Sequence, residues 1–140
     1  MSSPEIKVQK AAEGNLLQVI TAGVNQFLAD VPAVQGGDDA GPDPHDLLDA
    51  ALGACTALTV TMVARRKQIP LDDLKVTIRH VEADGVYRLS RTLEFVGALT
   101  DEQKSYLTGI ANKCPIHKAL NGRFEIETAV VGDPAAPAAA

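Results

Sequence analysis

The segment from Asp43 to Lys67 does most to decide what this chain can fold into. Its centre, LLDAALGACTALTVTMVA, is apolar on nearly every side, and a helix of that kind needs cover all round rather than a place across a wet surface. Asp43 supplies an N-cap oxygen, Pro44 suits the first helical position and Asp46 falls at N3. Arg65, Arg66 and Lys67 suit the other end, and Pro70 stops it. The spacing predicts one buried helix from about Pro44 to Lys67. The rest of a 140-residue chain supplies one small sheet, less cover than such a helix needs, so a partner subunit is expected.

Around that helix the pattern alternates. Ile6 to Lys10 and Leu16 to Asp30 read as strands of a small antiparallel sheet, with turns at Gly14 and Gly23. Val34 to Pro44 holds three Gly, two Pro and three Asp, a concentration that marks a loop. Leu74 to Glu82 and Val86 to Val96 alternate with period two across Ala83, Asp84 and Gly85, which predicts a hairpin with one dry face. A second helix opens at Thr100 and runs from Asp101 to about Lys113; Pro115 restarts a short one to Leu120. A last strand is expected from Arg123 to Val131. The order β-β-β-α-β-β-α-β defines an α+β fold, one domain over residues 1–133, with 134–140 a frayed tail.

Composition narrows the function. With 13 Lys+Arg against 18 Asp+Glu and a net charge of −5, the chain would be repelled by phosphate backbones and anionic lipid, so nucleic-acid and membrane partners are not expected. The first residues, MSSPEIKVQK, hold no apolar core of signal-peptide length, and a cytoplasmic location is expected. Two cysteines, Cys55 and Cys114, are too few and too far apart for a zinc cluster or a secreted disulfide scaffold. His45, His80 and His117 are scattered without the carboxylate spacing of a metal site and read as surface or capping residues. Neither a nucleotide loop nor a nucleophile elbow is present, and no cofactor or metal is expected.

Cys55 and Cys114 are then two small buried thiols or a redox pair. Free cysteine is among the most buried residue types, which favours the first reading. Cys114 precedes a helix start at Pro115, where unpaired N–H groups stabilise a thiolate, which favours the second. Asp46 lies nine residues before Cys55, two and a half helical turns and nearly the opposite azimuth, so any cooperation between them passes through another group.

Two motifs, Gly41 to Val76 (GPDPHDLLDAALGACTALTVTMVARRKQIPLDDLKV) and Ala111 to Leu120 (ANKCPIHKAL), in that order and separation, resemble the OsmC/Ohr family of thiol peroxidases, in its OsmC-like branch. The resemblance covers roughly residues 15 to 131. It implies an intertwined homodimer with two long central helices and two sites at the subunit interface. It also implies that Cys55 matches the peroxidatic cysteine, oxidised by an organic hydroperoxide to a sulfenic acid, and that Cys114 matches the resolving cysteine that forms a disulfide with it. The reductant implied is an external dithiol of the lipoyl type. Asp46 occupies the position of the family's glutamate at the helix start, as an orienting or charge-balancing carboxylate. The chain departs from the family in one respect: residues 1–64 contain no Arg, so the activating guanidinium of the N-terminal sheet is missing. Arg65, Arg66, Arg79, Arg88 and Arg91 are the substitutes available. That departure leaves open a second function, a non-catalytic dimer of the same fold that binds a small apolar ligand or senses oxidation.

Overall fold

A computed structural model of the chain describes residues 3–132; the expected tail, 134–140, lies outside them. The elements run β1 (Ile6–Lys10), β2 (Gln18–Ala22), β3 (Asn25–Ala29), a 3-10 turn (Ala33–Gln35), α1 (Pro44–Arg66), β4 (Leu71–Ala83), β5 (Val86–Gly97), α2 (Asp101–Ala111) and α3 (Pro115–Leu120). This is the α+β architecture expected. The chain divides into two units, one of Met1–Ala54 with Lys75–Glu94, the other of Cys55–Leu74 with Phe95–Ala140.

The first unit holds an antiparallel meander in the order β1-β2-β3. Val8, Ile20 and Phe27 stand in register across it. Ile20 is buried, yet Val8 stays 56% and Phe27 43% exposed, so the apolar face of this sheet is covered only along its centre. The β2–β3 connection is the two residues Gly23 and Val24, with Gly23 at φ +62 as a tight hairpin requires. The following loop is organised by a single carboxylate. Asp30 is buried and accepts N–H groups from Val31, Asp38 and Ala40, and these backbone donors hold it below the ordinary carboxylate range. Gly37 closes the loop tightly: a Cβ there would stand 2.1 Å from the Val31 carbonyl oxygen.

The start of α1 forms as its residues dictate. The Asp43 carboxylate accepts the His45 N–H at 2.8 Å, and the Asp46 carboxylate reaches back to the Asp43 N–H at 3.1 Å. At the other end Ile69 N–H bonds the Ala64 carbonyl and Gln68 N–H that of Arg65, a Schellman closure with Gln68 in the left-handed region at φ 56. Within one chain only one stripe of this apolar helix is covered: Leu52, Thr56, Val60 and Ala64 are buried at four-residue spacing. Val60, fully buried, contributes on the order of 2 kcal/mol by leaving water. The opposite face leaves Leu58 63% and Met62 55% exposed.

β4 and β5 form the expected hairpin, and it turns on Asp84 and Gly85, both at positive φ, the Asp-Gly signature of a two-residue loop. In the second unit, Thr100 caps α2 with a reciprocal capping box to Gln103, and Leu107 and Ala111 turn its buried side to the core. Pro115 opens α3 with Cys114 as N-cap. The expected last strand, Arg123 to Val131, is not formed among the described residues. Phe124 (63%), Ile126 (87%) and Val130 (60%) are exposed. The alternation there records a capacity to pair, but a strand forms only where it bonds a neighbour's N–H and C=O groups, and none of the described strands pairs with it.

Candidate active site

The second unit gathers the sulfur chemistry. Cys55, in the middle of α1, is half-buried, and Cys114, between α2 and α3, is entirely buried; both are free thiols. The break between α2 and α3 presents the Cys114 side chain to the first turn of α3, where its Sγ accepts the His117 N–H at 3.3 Å. On its other side Cys114 Sγ lies 3.8 Å from the hydroxyl of Thr56. Thr56 is the residue next to Cys55, so the fold brings the later motif against the centre of the earlier one, 58 residues away. Cys55 Sγ has the hydroxyl of Thr59, one turn on, at 3.9 Å.

Among the described residues the hydrogen-bonding partners of both sulfurs are neutral: two hydroxyls and one backbone N–H. Among the described residues no guanidinium hydrogen-bonds Cys55. Arg79, one of the available substitutes, belongs to the other unit. The chemistry such a setting allows is that of thiols in low-dielectric surroundings, with thiolate stabilised by donors rather than by a counter-ion. Asp46 also belongs to the other unit, where its carboxylate is occupied by the Asp43 N–H at the helix start.

A second constellation, in the first unit, is one the sequence did not announce. Asp49, inside the apolar run of α1, accepts a hydrogen bond on each oxygen, from His80 Nδ1 at 2.5 Å and from the Tyr87 hydroxyl at 2.6 Å. Both Asp49 and His80 are mostly shielded, with 14% and 28% of their side chains exposed. His45 completes a triangle of stacked rings, 5.7 Å from His80 and 6.0 Å from Tyr87, with His80 and Tyr87 4.6 Å apart. His45 Nδ1 meets Asp43 at 2.8 Å and its Nε2 meets Glu82 at 3.4 Å. A carboxylate only accepts, so one at each ring nitrogen favours the doubly protonated imidazolium. The Asp43 hydrogen bond accordingly raises the His45 pKa above its ordinary 6.5, and the His45 backbone and ring hold Asp43 down. Burial, then the Asp49 bond, pushes the Tyr87 hydroxyl far above its usual value. The signal in the sequence was faint: His80 and Tyr87 continue the inward registers of Val76, Ile78 and of Leu89, Leu93, and a polar group on a dry face needs a partner. Among the described residues no three His, Cys, Asp or Glu side chains converge as a metal site.

Compared with known proteins, residues 36–129 match the family model described as OsmC-like protein. Similar solved structures include the OsmC-like protein of Mycoplasma pneumoniae, with TM-score 0.71 and 19% identity over 86% of this chain and 89% of that one. The organic hydroperoxide resistance protein OsmC of Legionella pneumophila aligns with TM-score 0.63 and 22% identity over 87% and 91%. The organic hydroperoxide resistance protein OhrB of Bacillus subtilis aligns with TM-score 0.55 and 25% identity over 86% and 92%. No curated protein matches the sequence significantly. The α+β architecture, the long apolar helix carrying one cysteine with the second cysteine's sulfur against its neighbour, and a family match over more than half the residues agree: the chain belongs to the OsmC-like family.

Proposed function

We propose that this protein is a thiol-dependent peroxidase that reduces organic hydroperoxides in oxidative-stress defence. The single observation that carries the reading is the contact of the Cys114 sulfur with Thr56, the residue beside Cys55. It rests further on family membership and on relatives named organic hydroperoxide resistance proteins. Cys55 thiolate attacks the terminal peroxide oxygen, the O–O bond breaks, and an alcohol leaves with a proton from solvent while Cys55 becomes a sulfenic acid. Cys114 thiol then displaces water from that sulfenic acid and a Cys55–Cys114 disulfide forms, which protects Cys55 from over-oxidation. An external dithiol of lipoyl type returns both to thiols. Thr59 donates to the Cys55 thiolate in place of the arginine that the family resemblance implies, and the apolar surroundings of α1 suit an alkyl or aryl hydroperoxide. Asp46 orients by fixing the start of the helix that carries Cys55.

The working form is a homodimer in the cytoplasm, each chain one domain over residues 1–133. The uncovered Leu58–Met62 face of α1, the half-covered β1–β3 face and the exposed apolar side chains of Phe124, Ile126 and Val130 support a second copy as the missing cover.

Reduced protein mixed with cumene hydroperoxide should lose two thiols per chain and regain them with dihydrolipoamide. If both thiols stay free, the reading fails and the non-catalytic, ligand-binding alternative takes its place; sedimentation at micromolar concentration tests the dimer.

A further inference from the structure

The two sulfurs are set in unequal surroundings, and that inequality fixes a direction for the reductive half of the cycle. Cys55 is half-buried and has one hydroxyl, Thr59, at 3.9 Å. Cys114 has no exposed surface; its Sγ accepts the His117 N–H at 3.3 Å and lies 3.8 Å from the Thr56 hydroxyl, which can donate to it once the sulfur is a thiolate. In thiol–disulfide exchange the incoming thiolate attacks the accessible sulfur and expels the one better able to carry negative charge. Access and charge stabilisation here select the same bond polarity.

We propose that Cys114 is the leaving group when the disulfide is reduced, and that Thr56 is the positioning residue that makes it so. This rests on the reading of Cys55 and Cys114 as a redox pair. The external thiolate bonds to Cys55 Sγ, the Cys55–Cys114 bond breaks, and its electron pair stays on Cys114 Sγ. There the His117 N–H and the Thr56 O–H receive the charge. The second thiolate of the dithiol then attacks its own sulfur in the mixed disulfide and expels Cys55 thiolate, leaving the reductant as a cyclic disulfide and the protein with two thiolates that take protons from solvent.

The test starts from full-length protein oxidised with diamide, which makes the disulfide without any peroxide. A short pulse of 2-mercaptoethanol, an acid quench, alkylation and peptide mapping locate the two labels. The expected product carries mercaptoethanol on Cys55 and the alkyl group on Cys114; mercaptoethanol on Cys114, or equally on both, overturns the proposal. Thr56→Val should slow opening of the disulfide about fivefold, the worth of one hydrogen bond, and Thr56→Ser should restore it. Opening as fast in Thr56→Val as in the parent removes Thr56 from the assignment, and the mapping on the parent protein stands whether or not that variant folds. If cumene hydroperoxide leaves both thiols free while the diamide-made disulfide opens with the label on Cys55, the peroxidase reading falls and the leaving-group assignment survives. If diamide makes no intramolecular disulfide, the assignment itself is overturned.

Discussion

The ring cluster of the first unit and the thiol pair of the second satisfy buried polar atoms by opposite means. Asp49, His80, Tyr87, His45, Asp43 and Glu82 are joined through ionised or ionisable partners, with carboxylates at both nitrogens of His45. Cys55 and Cys114 have hydroxyls and a backbone N–H. A charged network responds to pH and holds its members in one geometry. A set of neutral partners leaves the sulfurs without a fixed counter-ion. Carboxylates thus gather around the rings, while the sulfurs have only neutral hydrogen-bonding partners.

The comparison can be broken at several points, the largest effect first. Cys55→Ser should abolish hydroperoxide turnover, by about a thousandfold or more, while leaving the denaturation midpoint near the parent's; a coupled assay with cumene hydroperoxide reads it. Asp49→Ala should destabilise the fold by about 2–4 kcal/mol in urea titrations, because His80 and Tyr87 each lose the acceptor that satisfies them. Thr59→Val should slow oxidation of Cys55 by about threefold to fivefold, since the hydroxyl 3.9 Å from Sγ can donate to the thiolate, with little change in stability.

The charged network should also show in the pH dependence of stability. His45 keeps its proton above 6.5 in the folded chain, so its contribution is complete below pH 6.5 and is lost as pH rises through the raised value. Asp43 is held below 3.8, so its contribution is present above pH 3.8 and is lost as pH falls through the depressed value. The helix start is therefore firmest between those limits, and urea midpoints at pH 5.5 and 8.5 should differ in the parent and converge in His45→Gln. Smallest is Gln68→Gly, which should raise stability by about 0.5–1 kcal/mol by relieving the left-handed conformation at the end of α1.

What the sequence disclosed was mostly local. Asp43, Pro44 and Asp46 mark the start of α1 because capping acts within four residues, and Asp84-Gly85 marks the hairpin because the turn itself demands positive φ. The two cysteines could be singled out as chemistry-bearing, but not their neighbours. Thr56 meets Cys114 across 58 residues, and Asp49 meets His80 and Tyr87 across 31 and 38. No periodicity encodes those separations; they follow from which helix face meets which strand. The same limit explains Arg123 to Val131, where alternation was legible but no strand forms among the described residues.

The full enclosure of Cys114 beside a half-open Cys55 gives the molecule a built-in gauge. A slow alkylating reagent such as iodoacetamide reaches Cys55 directly, whereas Cys114 becomes available only in moments when the turn between the two short helices lifts away from Thr56. The ratio of the two labelling rates then measures how often that corner opens, and a compound that tightens it would announce itself by silencing one thiol and not the other.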